Sequence, residues 1–421
     1  MDGSIADPIC QTSRQLKLPK GSSRIPALTC EASALLNARA VPMQRPAVSI
    51  ILPAYNRRHV IKRAIDSVVA QTFQDWELIV VDDGSTDGTA EVIECADARI
   101  RLIPQSNRGA AAARNNGISH ARGQFIAFLD SDDEWLPHFL KLTHEHLTRN
   151  PGDAFVATEF VEMNAHGRRV QDRCIIRDTY APLARRIGSN SLELPANCND
   201  DYLRIYSSCE PLGDWWVATE HGMASDSGKP KCYRGLIGEA YRWGHLHALW
   251  CLLLRRETVD SVGAMAEDKR SCVDYKFLVD LCRRFPAAMI NVPSVVKHEL
   301  DRAQHKQTAG HLSAGSGYAQ FMRNQLALYE ELFVNQHPDN EEIGALHALM
   351  CLKASAVVLD YGSRGEALKY AARARRFAPS RGWWVLHWSI IAFAPGTRIA
   401  SYAIRKAREL EERRWTRTYA A

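Results

Sequence analysis

Two short stretches decide the fold of this chain: residues 80–87 read VVDDGSTD, and residues 128–133 read FLDSDD. Each is the end of a continuous apolar run followed at once by acidic residues, a pattern typical of a strand that is buried on both faces of a sheet. The carboxyl ends of parallel strands meet at one sheet edge, where ligands of open α/β sheets bind. We therefore expect the two acidic clusters to lie together and to form a site.

Apolar runs and helical stretches alternate on both sides of these two segments. The pattern predicts strands over 47–54, 76–81, 99–104, 124–129 and 153–161, and helices over 58–70, 87–96, 109–121 and 135–149. Such alternation predicts an α/β fold, in which helices cover a mostly parallel sheet.

The flanking parts of the chain have a different character. Residues 1–45 are polar and lack periodicity, which predicts a disordered leader. From 163 to about 240, Pro, Gly, Asn and Trp interrupt the rhythm and predict an irregular, partly helical insertion. The apolar stretch His245–Arg256 then returns to the core. These limits predict a core domain over 46–310, with a first half over 46–162 and a second half, which contains the insertion, over 163–310.

A helical C-terminal region is expected over 311–421. Residues 345–378 resemble one helical hairpin of the tetratricopeptide kind, too few repeats for a solenoid. The apolar segment Trp383–Phe393 fits a buried helix or an interfacial membrane contact equally well. Because basic residues accumulate after Arg364, we expect at most peripheral membrane contact through 380–415, with a solvated helical face as the alternative.

Composition excludes several classes of protein. The chain has 421 residues and a net charge of +5 that is not concentrated in one run, so nucleic-acid binding has little support. Its 11 cysteines include no C-x-x-C pair, which argues against a disulfide framework or a structural zinc site. No signal peptide and no apolar run of spanning length is evident, so we expect a cytoplasmic protein.

Asp130 and Asp132 alternate at the end of the second apolar run. Alternate residues of a strand point to the same side, so their carboxylates can meet one ligand. Mg²⁺ and Mn²⁺ take such oxygen ligands together with substrate phosphates, and acids tolerate a diphosphate only with a cation between them. An acidic turn without a ligand is the alternative. The pair favours a metal-assisted nucleotide site.

Two further segments can complete such a site. Asp82 and Asp83 can accept a nucleobase N–H, or they can simply shape a turn before a helix. Residues 107–117 read NRGAAAARNNG, where small side chains permit close approach and Arg114 can reach a phosphate or a base. Plain packing of an alanine-rich helix is the alternative for this segment.

The end of the first strand excludes other nucleotide enzymes. It reads Leu52-Pro53-Ala54-Tyr55-Asn56, without the glycine fingerprint of a dinucleotide-binding dehydrogenase. No P-loop is present. A nucleotidyltransferase needs a basic glycine-rich loop at this place, and the segment supplies none.

The motifs, in this order, resemble the family 2 glycosyltransferases of the GT-A fold. The resemblance rests on SIILPAYN at 49–56, SVVAQTFQDW at 67–76, VDDGSTDGT at 81–89, NRGAAAARNNG at 107–117 and FLDSDDEWLP at 128–137. It is close over residues 47–150 and thinner to about 300. It implies a Rossmann-like sheet and transfer of a sugar from a nucleoside diphosphate, as in polysaccharide biosynthesis.

The resemblance also implies that residues 46–162 form a donor half and residues 163–310 an acceptor half, and it implies roles for residues of the donor half. Pro53, Tyr55 and Asp83 would line the nucleobase, Arg114 would assist, and Asp130 would hold the ribose. Asp132 would be the principal ligand of a Mn²⁺ or Mg²⁺ ion on the diphosphate. The remaining residues implied for nucleotide binding are Asn56, Asp82 and Asn107.

On the acceptor side, the resemblance implies an acidic pair before a helix. Here that place is held by Val273 and Asp274, so Asp274 is the candidate general base and its acidic neighbour is replaced. His298 stands where the resemblance implies a histidine near the donor phosphates. Two hypotheses stay open for it, a metal ligand and a surface residue.

We therefore expect a metal-dependent, inverting glycosyltransferase that acts on a hydroxyl of a glycan or a lipid-linked saccharide. The alternative is a catalytically weak or inactive relative that binds nucleotide or glycan and acts as an interaction module. Val273, the insertion and the helical C-terminal region favour this second reading.

Overall fold

The structure, a computed structural model, describes residues 45–93, 97–163, 169–173, 201–213, 230–269, 271–298, 317–360, 363–376, 388–392 and 403–404. The predicted leader before residue 45, much of the insertion and most of the segment 380–415 lie outside these residues. The described residues belong to one unit, Arg45–Ala421.

Strands and helices alternate along the first part of the chain. The strands are β1 Val48–Ala54, β2 Trp76–Asp82, β3 Ile100–Pro104, β4 Phe125–Phe128, β5 Glu134–Trp135, β6 Phe155–Met163, β7 Arg169–Arg173, β8 Ser208–Pro211, β9 Lys231–Gly235, β10 Leu252–Arg255 and β11 Ala287–His298. The helices are α1 Ile61–Val69, α2 Thr89–Ile93, α3 Ala110–His120, α4 Phe139–Arg149, α5 Arg256–Val262, α6 Val273–Arg284, α7 Gly317–Tyr329, α8 Glu341–Asp360 and α9 Arg364–Arg373.

The donor half is a parallel sheet in the order β3-β2-β1-β4. Leu52 of β1 pairs with Val80 of β2, and Ile51 pairs with Phe128 of β4, all parallel and buried. Because these strands run in register to the same edge, the acidic segments that follow β2 and β4 emerge side by side. The predicted α/β fold with its flanking helices is confirmed.

The acceptor half mixes parallel and antiparallel pairs. β10 lies between β4 and β6 and is antiparallel to both, which confirms that the stretch around it returns to the core. β11 is parallel to β6 and antiparallel to β9. The expectation of an irregular insertion is wrong for β7, β8 and β9, because these short segments gain their regularity by pairing with distant strands rather than from local periodicity.

The helix predicted over 135–149 begins later, at Phe139. Trp135 instead pairs with Val295 as part of β5, and its buried indole donates to the carbonyl of Trp250 at 2.9 Å. Pro137 explains the boundary, since a residue that precedes proline avoids the helical region of the backbone.

Helix α3 packs unusually close to β1. A Cβ on Gly117 would lie 2.4 Å from Cγ2 of Ile51, so only glycine allows this approach. Ala111, Ala112 and Ala113 are buried on the same helix. The packing role foreseen for the alanine-rich segment is real, and it brings the polar face of α3 to the sheet edge.

The C-terminal helices pack on one another. α8 and α9 form the expected hairpin, although α8 begins at Glu341 rather than 345. Among the described residues, α8 is long and apolar enough to cross a membrane, but 67% of its most apolar stretch is buried against the protein. We interpret it as a core helix.

Candidate functional site

An acidic rim, defined here as Asp130, Asp132 and Asp133, follows β4 at the carboxyl edge of the parallel strands. Asp133 is buried, whereas Asp132 and Asp130 are partly exposed. Arg114 of α3 reaches the rim and donates to Oδ1 of Asp130 at 2.7 Å. The structure therefore brings together three of the residues predicted from sequence.

The pKa values of two carboxylates of the rim are raised. Burial raises the pKa of Asp133 well above its ordinary value, and the neighbouring charges of Asp132 and Asp130 add to the shift. Burial also raises the pKa of Asp130, although Arg114 opposes this effect. Like charges that share a site favour protonation in this way, so the rim is a place where a cation is stabilised.

Asp274, the candidate base, belongs to the same site. It lies in the first turn of α6, and its charge helps to raise the pKa of Asp130. Its half-buried carboxylate accepts no hydrogen bond from the described residues. Cys272, at the start of this helix, has a φ of 60°, which marks a sharp change of chain direction before Asp274.

Asp83 serves first to hold the loop that precedes α3. Its Oδ1 accepts the Nε2 amide of Gln105 and the backbone N–H of Arg108, both at 2.8 Å, and its Oδ2 accepts the N–H of Gly109 at 2.8 Å. A carboxylate offers about four acceptor positions, so one on Oδ2 stays open. The predicted contact with a nucleobase is compatible with this arrangement and stays a prediction.

Asp82 is likewise bonded within the protein. Its Oδ1 accepts the N–H of Ser85 at 3.1 Å, which is the turn that the sequence offered as its alternative. Asn107, also predicted to bind nucleotide, is exposed in the loop beside Gly84. Neither placement tests the predicted role.

The loop after β1 is fastened to the loop after β2. Asn56, in the left-handed region with a φ of 52°, accepts the N–H of Thr86 at 2.8 Å, and its own N–H donates to Ser85 at 2.9 Å. Asn56 is therefore a structural link in this structure. Tyr55 next to it is 41% exposed, which leaves its ring face open to a nucleobase, and Pro53 is partly exposed.

His298 is paired with a carboxylate of the neighbouring strand. Its Nε2 lies 3.0 Å from Oε2 of Glu134, and its backbone N–H donates to the buried Asp133. The side chain of His298 thus sits beside the rim. The next residues, 299–316, lie outside the described part of the chain.

The rim supplies some, but not all, of the ligands that a hard divalent cation needs. Within the described ranges, no three His, Cys, Asp or Glu side chains form a full metal-binding group. Asp130 and Asp132 nevertheless offer carboxylate oxygens, the donors that Mg²⁺ and Mn²⁺ prefer. Arg114 adds an orphaned donor, because its buried Nε has no partner among the described residues. This donor set matches a cation and an anion that bind together.

Sequence reasoning missed His245, which lies on the acceptor side. Its ring contacts Tyr275 at 4.6 Å between centroids, and burial lowers its pKa while the charge of Asp274 opposes the shift. No described residue hydrogen-bonds its ring nitrogens. Its segment bears no motif, and only the packing of the 3₁₀ turn Gly238–Trp243 on α6 brings it to the site.

Glu159 was also missed. It lies on β6, accepts a hydrogen bond from the hydroxyl of Tyr202, and with the rim raises the pKa of the buried Cys251. The aromatic residues Tyr241 and Trp243 are both buried and belong to the core.

A depression of about 600 Å³ lies at the opposite, amino edge of the sheet. Its lining contains both arginines and acids, for example Arg45, Arg256, Asp75 and Asp260. Ligands of open α/β sheets bind beyond the carboxyl ends of the strands, so the rim, not this depression, is the candidate active site.

Two glycosyltransferases of known name match about a quarter of the chain. The chain is 47% identical over 105 residues, 24% of its length, to the Escherichia coli protein UDP-Glc:alpha-D-GlcNAc-diphosphoundecaprenol beta-1,3-glucosyltransferase WfgD. It is 50% identical over 91 residues, 21% of its length, to the uncharacterized glycosyltransferase EpsJ of Bacillus subtilis. The chain covers 42% and 26% of these two relatives, respectively.

Solved structures resemble the chain at greater length but lower similarity. TarS of S. aureus in complex with UDP-GlcNAc matches with 13% identity and a TM-score of 0.47, over 86% of this chain and 91% of that one. The mannosyltransferase PcManGT of Pyrobaculum calidifontis, in complex with GDP-Man and Mn²⁺, matches with 18% identity and a TM-score of 0.43, over 90% and 92%. Likeness at this level does not extend to activity.

The family model of glycosyl transferase family 2 matches residues 49–207. This region contains β1, β2 and β4 with the acidic rim, together with the loops that carry Asn56 and Asp83. The family match and the named relatives therefore show that part of this chain, residues 49–207 in the family match, is similar to the family 2 glycosyltransferases.

Proposed function

We propose that the protein is a metal-dependent, inverting glycosyltransferase. Its donor is a nucleoside diphosphate sugar, and its acceptor is a hydroxyl of a glycan or of a lipid-linked saccharide. One observation carries the proposal: Asp130, Asp132 and Arg114 meet at one sheet edge, within electrostatic reach of the carboxylate of Asp274.

On the donor side, the chain supplies an open aromatic face and a polar edge. Tyr55 can stack on the base, while Oδ2 of Asp83 keeps one acceptor position for a base N–H. Arg114 holds Asp130 with one nitrogen and keeps its Nε free, so the same guanidinium can meet a phosphate oxygen.

Asp130 and Asp132 would hold the divalent cation, which when bound neutralises charge on the diphosphate. Two unit charges 4 Å apart interact by about 4 kcal/mol at an effective dielectric constant of 20, so this neutralisation is large. The raised pKa values of the rim acids are consistent with a site that is incomplete without positive charge. The pairing of His298 with Glu134 leaves its proposed role as a further ligand to experiment.

On the acceptor side, Asp274 would take the proton of the attacking hydroxyl. The acceptor oxygen forms a bond to the anomeric carbon as the bond from that carbon to the phosphate oxygen breaks, and the nucleoside diphosphate leaves with the bonding pair. Attack from the side opposite the leaving group inverts the anomeric configuration. A half-buried carboxylate suits this role, since no hydrogen bond to a described residue must be broken before it can accept a proton.

The name of the E. coli relative gives the first substrates to test. That protein is named as using UDP-Glc and an undecaprenol-linked GlcNAc diphosphate. For this chain we propose the broader class, a nucleotide sugar and a glycan or lipid-linked saccharide, with UDP sugars as the first candidates.

Purified protein with Mn²⁺ should release nucleoside diphosphate from at least one member of a panel of UDP, GDP and dTDP sugars. We expect Asp132→Ala to lower the rate by about 10²–10³-fold, since it removes charge stabilisation of the leaving group. A panel without turnover, or an Asp132→Ala protein as active as the wild type, contradicts the proposal.

A second function, binding without turnover, is favoured by one feature of the sequence: Val273 stands where the resemblance to the family implies an acid. In that case nucleotide would bind tightly, no donor would be consumed, and Asp274→Asn would leave the dissociation constant unchanged. Calorimetric titration of both proteins with UDP and GDP, beside the turnover assay, separates the two functions.

For location, we propose a cytoplasmic protein with at most peripheral membrane contact through 380–415. The basic residues and the tryptophans of that segment support the proposal. Flotation with liposomes that contain anionic lipid, at low and high salt, measures it. Full recovery of the protein away from the liposomes at low salt contradicts the contact.

A further inference from the structure

We propose that Asn115 is a positioning residue for the transfer reaction. It fastens the segment Gly263–Glu267, which leads into the helix that bears Asp274, to the helix that bears Arg114. We call the contacts between Asn115 and this segment the latch. The proposal rests on the proposed function, because positioning matters only if Asp274 takes part in the reaction.

The latch begins with a reciprocal pair of hydrogen bonds. Oδ1 of Asn115 accepts the N–H of Met265 at 2.9 Å, and Nδ2 donates to the carbonyl of Met265 at 2.9 Å. The amide thus pairs with one residue of the backbone much as a neighbouring strand does. The side chain of Met265 is buried, so the pair holds the segment against the core.

A third bond extends the latch to Glu267. Nδ2 of Asn115 also donates to Oε1 of this residue at 2.9 Å. An amide nitrogen has two donor hydrogens, and both are used here, so a flip of the amide would break all three bonds. The hydrogen bond from Asn115, with the nearby charge of Arg108, lowers the pKa of Glu267.

The latch is continuous with the donor side. The guanidinium of Arg108 donates to Glu267, and the backbone N–H of Arg108 donates to Asp83 at 2.8 Å. The residue before Asn115 is Arg114, which is bonded to Asp130. One turn of α3 therefore contacts the donor rim with one residue and the acceptor segment with the next.

The segment starts at the end of α5, where the N–H of Gly263 donates to the carbonyl of Val259 at 3.0 Å. Gly263 has a φ of +91°, and no atom lies within 4 Å of the position of a Cβ on it. At the far end, Lys269 pairs with Glu331 at 2.9 Å, and Ser271 accepts a hydrogen bond from Asn324 at 2.8 Å. Asp274 makes no hydrogen bond to a described residue, so its place is set by the backbone of α6, which packs on the core, and by the segment that leads into this helix.

A displacement of about 1 Å at a reacting group can lower a rate by about 100-fold. Loss of the latch should therefore slow the reaction without weakening the binding of nucleotide. A purely structural role for Asn115 would instead lower stability and affect every property of the protein alike.

The test compares wild type with Asn115→Ala, Asn115→Asp and the double variant Asn115→Asp/Glu267→Gln. Ser119→Ala is the matched control, because Ser119 is a polar, exposed residue of the same helix whose hydroxyl bonds only to the carbonyl of Asn116 and to His120. Hydrogen exchange of peptides over 263–272 reports the latch. Titration with UDP and GDP, and steady-state turnover of the best donor of the panel, report its effect.

We expect Asn115→Ala to speed exchange over 263–267 by about tenfold or more, since its protecting acceptor is gone. The turnover number should fall about 30- to 100-fold, with the dissociation constant of the nucleotide unchanged within twofold. The turnover of Asn115→Asp should be lower still, because the new carboxylate faces that of Glu267. Adding Glu267→Gln should reverse this additional loss of turnover.

Unchanged exchange in Asn115→Ala overturns the latch, and so does an Asn115→Asp defect that Glu267→Gln fails to relieve. Equal losses in nucleotide binding and turnover overturn the positioning role. If wild type turns over no donor, the proposed function fails, whereas the exchange measurements still decide whether the latch exists.

Discussion

The two edges of the parallel sheet shift the pKa of a buried carboxylate in opposite directions. At the amino edge, buried Glu77 accepts bonds from Ser49 at 2.7 Å and from Nε of Arg122 at 2.9 Å. Although burial alone would raise its pKa, these bonds lower it below the ordinary value. At the carboxyl edge, buried Asp133 faces other carboxylates, and its pKa is raised.

The difference assigns separate tasks to the two edges. At the amino edge, Glu77 is hydrogen-bonded to Ser49 and Arg122, and these bonds stabilise the fold. At the carboxyl edge, burial and repulsion from the neighbouring carboxylates keep the pKa of Asp133 raised. Carboxylates with perturbed pKa values are typical of functional sites. A ligand that brings positive charge to the rim relieves that repulsion, so binding and stability should be linked there.

The largest expected effect separates activity from stability at the carboxyl edge. Asp274→Asn should lower turnover by about 10³-fold, because it removes the general base. The free energy of unfolding should stay within about 0.5 kcal/mol of wild type, since the carboxylate accepts no hydrogen bond from the part of the chain that the structure describes. Transfer assays and urea denaturation measure both quantities.

Asp280→Asn is the matched control for this variant. Asp280 lies on the same helix and pairs with Lys276 at 2.6 Å, away from the rim. Its turnover should match wild type within twofold. An Asp274→Asn protein that keeps full activity would remove the functional contrast between the edges.

The amino edge should show the reverse pattern. Glu77→Gln should lower the free energy of unfolding by about 2 kcal/mol, less than the ~3–5 kcal/mol of a fully buried pair, because its arginine partners are partly exposed. Nucleotide binding by the folded protein should be unchanged. Since the pKa of Glu77 is lowered, its contribution is present above its ordinary pKa and is lost as pH falls through the lowered value.

Urea denaturation at pH 7 and at pH 4 measures this contribution, with Glu91→Gln as the exposed comparison. Glu91 pairs with Arg58 at the surface, and its loss should cost little. Equal stability of Glu77→Gln and wild type at pH 7 would contradict the role assigned to the amino edge.

A divalent cation should stabilise the carboxyl edge. At Mn²⁺ and UDP concentrations tenfold above the dissociation constant, the free energy of unfolding should rise by about 1.4 kcal/mol, and EDTA should reverse the gain. Thermal melts measure the shift. Asp132→Asn should abolish it, and a shift of the same size in that variant would place the cation elsewhere.

The smallest effect tests the repulsion directly. Asp133→Asn should stabilise the cation-free protein by about 1 kcal/mol at pH 8 and by nothing near pH 4. The sign follows from the raised pKa of Asp133: the unfolded chain ionises first, so wild type loses stability as pH rises through the folded value, whereas asparagine does not ionise. Thermal melts with EDTA at both pH values measure the difference. The positive charge of Lys297 opposes the shift at Asp133, and a destabilised variant at pH 8 would mean that Lys297 compensates the negative charge of Asp133 fully.

Much of the donor half could be predicted from sequence, because its information is local. Continuous apolar runs predict strands buried on both faces, and an acidic segment directly after such a run must lie at the carboxyl edge. This reasoning places Asp83, Asp130 and Asp132 correctly at one edge. The helix boundary at Phe139 was missed because Trp135 pairs with a strand that lies far along the chain.

The acceptor half was predicted less well, because its order depends on distant partners. β9 has no sequence pattern of its own and gains its place from pairing with β11. His245 and Glu159 reach the site only through packing. The occupation of Asp83 by backbone N–H groups and the contacts of Asn115 with Met265 are likewise invisible in the sequence.

The sequence by itself determined which chemical groups stand at the strand ends, because strand burial and acidic turns are properties of neighbouring residues. Only the tertiary structure decided how those groups share charge. Burial and long-range contacts set whether a carboxylate is satisfied, as in Glu77, or left under repulsion, as in Asp133. Those energies depend on distances between residues that the order along the chain does not specify.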